Sequence, residues 1–236
     1  MRERAVKAAM QFVSEHFPAC RAALLAGSHV RGEGTSTSDL DIVVVDERVP
    51  SAYRESLHAC GFPIELFVHN LTSYKTFFRQ DAARARPSLP TMAAESVVLV
   101  GDALAAEMKQ EAAVLLAAGP PHWTSEEIEA KRYTISELLE DFEGSSDPQE
   151  DLFTVQALAV HLHEFELRTK GHWIGEAKWI MRALRNYDRN FAERFYETFE
   201  RFWRAREREA LVAFAEEILR PHGGRLFEGF SRAKSM

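Results

Sequence analysis

The passage Gly27 to Val45, GSHVRGEGTSTSDLDIVVV, constrains this chain more than any other part of it. The chain enters through AALLA (Ala22–Ala26) and leaves through LDIVVV (Leu40–Val45). Apolar runs this short, closed by Gly27 at one place and by Asp46 and Pro50 at the other, read as buried strands. Gly27 permits another group to approach the backbone closely. Ser28 opens a short helix whose free N–H groups and hydroxyl would face an anion. A polar stretch with Gly32 and Gly34 then returns the chain to Ser38-Asp39. Asp39 and Asp41 alternate with Leu40 and Ile42, so at strand period both carboxylates share one face.

Two carboxylates held that close repel each other unless a cation lies between them. Oxygen ligands alone suit a hard metal such as Mg²⁺, which completes its shell with water and substrate phosphates. A third acid, Glu65, sits inside the apolar run IELFV (64–68) after Gly61 and Pro63. A carboxylate there is costly unless paired or metal-bound. If its strand neighbours the Asp39/Asp41 strand, three carboxylates converge. With a triphosphate, that matches the two-metal arrangement for in-line displacement at phosphorus.

The string GSxxRG…SDLDI, with a third acid one strand later, resembles the polymerase-beta-type nucleotidyltransferase superfamily. It is similar above all to small bacterial members such as the kanamycin and related aminoglycoside nucleotidyltransferases. The likeness of motif covers Arg21 to Val68. It implies that Gly27 and Ser28 contact the phosphates of an NTP co-substrate. It implies that Asp39 and Asp41 bind two Mg²⁺ ions, and that Glu65 binds one of them and takes the acceptor's proton. Glu65 departs from the Asp that is commoner at that place. A helical domain after the catalytic one also fits this group.

Around this motif the chain has two unlike parts. The residues up to 68 alternate short strands with helical stretches, with Ser51 to Cys60 expected as a short helix. Beyond Thr72 the pattern is helical: Ser73 to Ala83, Leu89 to Val98, Ala103 to Ala117, Ser125 to Phe142, Pro148 to Thr169, Glu176 to Asn186, Asp188 to Phe202 and Arg204 to Leu219. Gly119-Pro120-Pro121 breaks this series, since a second consecutive proline cannot continue a helix. The expected fold is therefore α/β (α+β). A small mixed-sheet nucleotidyltransferase domain (1–118) precedes an α-helical bundle (119–236), the expected acceptor-binding domain. The end, from Gly223, reads as a loosely held tail.

Composition narrows the partners. The chain has 236 residues and a formal net charge of −7, with 36 acidic against 29 basic side chains. That balance disfavours gripping a long nucleic acid by its phosphates. No run approaches the roughly 20 apolar residues that span a bilayer, and the charged stretch Met1 to His16 reads as an amphipathic helix rather than a signal peptide. Cys20 and Cys60 are lone thiols, suited to a reducing, cytoplasmic setting.

Other candidates carry less. Arg31 and His29 could hold phosphate, or Arg31 could brace the loop through Glu33 or Asp39. Lys178, near a helix start, could reach a triphosphate, although a solvated lysine is the blander reading. Residues 126–151 hold ten carboxylates. Among them Glu137, Glu140 and Asp141 could face a polycationic acceptor or simply water, with Asp141 the first to test. His161 and His163 stand two apart on a helix and cannot comfortably share a metal. The stripe Phe191, Phe195, Phe199 with Tyr196, Phe202 and Trp203 reads as bundle core or a dimer face.

The leading expectation is transfer of a nucleoside monophosphate from an NTP to a hydroxyl of an aminoglycoside-like small molecule, with pyrophosphate released. Nucleotidylation of a protein partner, a non-catalytic nucleotide-binding regulatory module, and RNA tailing are the alternatives. A homodimer is compatible with the sequence but not required by it.

Overall fold

The computed structural model describes residues 2–231. The chain divides into two compact units at Gly119–Pro120.

The first unit is a five-stranded mixed sheet with helices on both faces. In chain order it comprises α1 (Arg2–His16), β1 (Ala22–Ala26), α2 (Ser28–Arg31), β2 (Leu40–Val45), β3 (Tyr53–Ala59), β4 (Phe62–His69), α3 (Leu71–Ala83), α4 (Ser88–Glu95), β5 (Val97–Val100) and α5 (Asp102–Ala118). The strand order is β3-β4-β2-β1-β5. β2 and β4 run parallel, and the other pairs are antiparallel. Alternation sends Leu25, Leu40, Ile42 and Val44 to one face, where Phe12 and Val13 of α1 cover them. It sends Leu24, Val43 and Val45 to the other, beneath Tyr74 and Phe78 of α3, Leu89 of α4 and Met108 of α5. Strands buried on both faces lack polar alternation, which is why they read as continuous apolar runs.

Two expectations for this unit are corrected. Ser51 to Cys60 is not a helix, because Tyr53–Ala59 is strand β3, paired antiparallel to β4. The turn between them places Cys60 and Gly61 both at positive φ, 52° and 76°. That is the conformation a two-residue hairpin demands, and Gly61 relieves half of its cost. β3 is an edge strand with mostly exposed side chains, so it has no apolar alternation to betray it. The expected helix Leu89 to Val98 stops at Glu95, and the β-branched run Val97–Val100 becomes β5, hydrogen-bonded to β1. Gly101, at φ 78°, then passes so close to the start of β1 that an added Cβ would lie 2.0 Å from the Arg21 carbonyl oxygen.

The second unit is helical: α6 (Ser125–Gly144), α7 (Pro148–Thr169), α8 (Trp179–Tyr187), α9 (Arg189–Ala205) and α10 (Arg208–Leu219), with a short 3₁₀ turn at Arg220–His222. Thr124 and Glu127 form a reciprocal capping box at the start of α6, as the local sequence leads one to expect. Asp147 and Asp188 cap α7 and α9. Phe195, Phe199 and Phe202 are buried in the bundle, while Tyr196 and Trp203 stay exposed. The stripe is therefore mainly core. Helices α8 and α10 begin later than expected, at Trp179 and Arg208.

The segment after Gly223 is better anchored than a loose tail. Leu226 N donates to Ser136 Oγ at 2.8 Å, Arg225 pairs with Glu143 and Glu216, and Phe230 stacks on Tyr133. Residues 232–236 of that expected tail lie outside the described residues. No helix among the described residues is long and apolar enough to cross a membrane.

Candidate active site

β1 delivers the chain to Gly27, the N-cap of the four-residue helix α2, with φ 80°. Gly27 accepts from Val30 N and Arg31 N, closing the turn. Its missing side chain serves a specific neighbour. A Cβ on Gly27 would fall 1.7 Å from Asp41 Oδ2. The group that approaches the glycine backbone is thus the protein's own carboxylate.

The return loop is fixed by His29. This side chain is buried, its Nε2–H donates to the Ser38 carbonyl at 3.2 Å, and it meets the Phe62 ring edge-on. Gly34 packs so closely that an added Cβ would lie 2.3 Å from His29 Nδ1. His29 therefore anchors the residue before Asp39 rather than facing a ligand. Ser38 Oγ adds a bond from Thr35 N at 2.9 Å.

β2 then carries Asp41, whose Cα partners are Ala26 in β1 and Glu65 in β4. Paired residues in adjacent strands point to the same face, so Asp41 and Glu65 stand side by side. Asp39, one residue before β2, joins them. The three carboxylates each present an oxygen, and these oxygens lie within 4.8 Å of one another. All three are partly buried.

The electrostatic consequence falls on Asp41. Burial pushes its carboxyl up to about 6, helped by the negative charges of Asp39 and Glu65 and opposed by Arg31 and Arg54. A group so placed gains from a cation. Three hard oxygen donors without sulfur or imidazole fit a divalent ion of the Mg²⁺ type.

Arg31 reaches Glu33 at 3.3 Å and Glu95 at 3.2 Å, so of the two roles open to it the bracing one, through Glu33, is visible. Ser28 is half-buried at the head of α2. Sequence reasoning missed Arg54, which pairs with Glu65 and lies over the Phe67 ring at 5.2 Å. It sits on the strand expected as a helix. The signal that would have found it is Cys60-Gly61, read as a hairpin turn.

In the second unit, Lys178 is exposed at the N-cap of α8. Glu137, Glu140 and Asp141 are exposed on α6, whose other face buries Ile135, Leu139 and Phe142. Glu137 accepts from Tyr133 Oη at 2.8 Å. His163 is buried and bonded to the Gly175 carbonyl, and the histidine pair forms no metal cluster among the described residues.

Residues 6–84, which span this sheet's first four strands, match the family model described as a nucleotidyltransferase domain. The matched segment contains all three carboxylates. Among solved structures, the chain is similar to a nucleotidyltransferase-like protein from Exiguobacterium sibiricum, with a TM-score of 0.49 and 11% identity over 92% of this chain and 74% of that one. No curated protein sequence matches it.

Proposed function

We propose that the protein transfers a nucleoside monophosphate from an NTP to a hydroxyl of a small-molecule acceptor. The observation that carries this reading is the convergence of Asp39, Asp41 and Glu65 within the matched domain. The acceptor oxygen bonds to the α-phosphorus, the bond to the pyrophosphate oxygen breaks, and the hydroxyl proton passes to Glu65.

Asp39, Asp41 and Glu65 would hold two Mg²⁺ ions, which when bound neutralise charge at the phosphates and make the hydroxyl more acidic. The rest is done by the chain. Asp41, pressed against the Gly27 backbone, cannot swing toward β1, so its oxygens stay directed at the other two carboxylates. Gly27 and Ser28 are assigned to the triphosphate. Arg31 would join them only by exchanging Glu33 or Glu95 for phosphate. Lys178 is assigned to the nucleotide, and Glu137 and Asp141 to a cationic, aminoglycoside-like acceptor.

The test is incubation of the purified protein with Mg²⁺, each labelled NTP, an aminoglycoside panel and cell extract. A labelled small product supports the reading. Labelled protein would shift it to a protein acceptor. NTP binding without transfer would reduce the chain to a nucleotide-binding module.

A further inference from the structure

Strand β3 contributes nothing to the acidic triad itself, yet it aims a permanent positive charge at it. Arg54 pairs with Phe67 across the β3–β4 ladder, and Ser56 pairs with Glu65. Arg54 is therefore the diagonal neighbour of Glu65 on the same face, within reach of a long side chain. Its guanidinium donates to Glu65 Oε1 and rests on the Phe67 ring. Its charge also reaches Asp41. The side chain is 63% exposed, and an exposed pair of this kind adds little to stability. The pair calls for another account.

The geometry points to Arg54 as a resident counter-cation that competes with the divalent metal at Glu65. This rests on the reading of the triad as a cation site. Three carboxylates this close require positive charge, and arginine cannot shed its proton to leave. Arg31, the other cation felt by Asp41, is already engaged with Glu33 and Glu95. Arg54 thus neutralises part of the site when no metal is bound. A metal taking the Glu65 oxygen must displace the guanidinium or bind beside a like charge. Removing the charge should therefore tighten metal binding. Repulsion between a single and a double charge about 6 Å apart at high dielectric, reduced by salt, corresponds to roughly three- to tenfold in affinity.

The test is a Mn²⁺ titration of the full chain without nucleotide, followed by calorimetry or by loss of the free-ion paramagnetic signal. Arg54→Gln and Arg54→Met should bind Mn²⁺ about three- to tenfold tighter than the wild type, and Arg54→Lys should stay near it. Asp41→Asn, alone or combined with Arg54→Gln, should weaken binding. If Asp41→Asn weakens binding while both neutral variants bind equally or less tightly than wild type, the competition is refuted and the cation site stands. If neither wild type nor the neutral variants bind Mn²⁺ in an Asp41-dependent way, the cation reading fails and the competition fails with it.

Discussion

Asp41 and Asp81 are acidic residues of the same unit, held in opposite ways. Asp81, 1% exposed, caps the turn between α3 and α4. It accepts from Leu89 N at 2.7 Å and pairs with Arg84 at 2.5 Å. Asp41 faces two further carboxylates and a glycine backbone. The first carboxylate is surrounded by donors and repays its desolvation. The second is left short of positive charge by the fold, a deficit that the proposed cation would relieve. Strain kept where chemistry is needed, and satisfaction elsewhere, is how a stable fold accommodates a reactive site.

The largest effect is expected for Asp41→Asn. We expect nucleotidyl transfer to fall on the order of 10³-fold or more, while the metal-free protein melts at a higher temperature because one repelling charge is gone. Loss of stability with activity retained would overturn the site assignment. Asp81→Ala should do the reverse. It leaves the Leu89 N–H buried without an acceptor, costing about 2–3 kcal/mol in denaturant unfolding, with the Mn²⁺ affinity of the folded protein unchanged.

Next comes Gly27→Ala. Its Cβ would occupy the place of Asp41 Oδ2 at a positive φ, so the carboxylate must move. Metal affinity should fall about tenfold and stability by about 1–2 kcal/mol, read by titration and by thermal melting.

A pH series sharpens the same contrast. The Asp41 carboxyl, raised to about 6 in the folded state from 3.8, contributes stability below the lower value and loses it as pH rises through the higher one. His69 works the other way: burial lowers it to about 4, so its contribution is present above 6.5 and fades as pH falls toward 4. Subtracting the Asp41→Asn curve from the wild-type curve removes the His69 part. The difference should decline from about pH 4 to 6. Metal affinity should weaken below about pH 6, by up to about tenfold per unit.

The smallest expected effect is at α6. Glu137→Gln and Asp141→Asn lie on an exposed face, so unfolding free energy should stay within about 0.5 kcal/mol. A change in acceptor KM with kcat and stability intact would support their assignment to the acceptor.

Much of this was legible in the sequence because it depends on neighbours along the chain. Strands β1, β2 and β4 announce themselves as apolar runs, Thr124 and Glu127 as a capping box, and Asp39 and Asp41 as neighbouring carboxylates at the start of β2. β3 did not, since an exposed edge strand carries no periodic apolar signal and is defined by the partner it pairs with. β5 was hidden because Val97–Val100 follows a helix without a break strong enough to separate them.

Local conformational preference and hydrophobic period were therefore enough to give the strand that bears Asp41 and follows Asp39, the glycine before it and the helical second half. The long-range features came from packing alone: β4 lies beside β2, so that Glu65 meets Asp41, Gly27 leaves room for that carboxylate, and Arg54 pairs with Glu65. Those facts follow from strand order and register, which arise from burying two sheet faces at once and are written in no single segment of the chain.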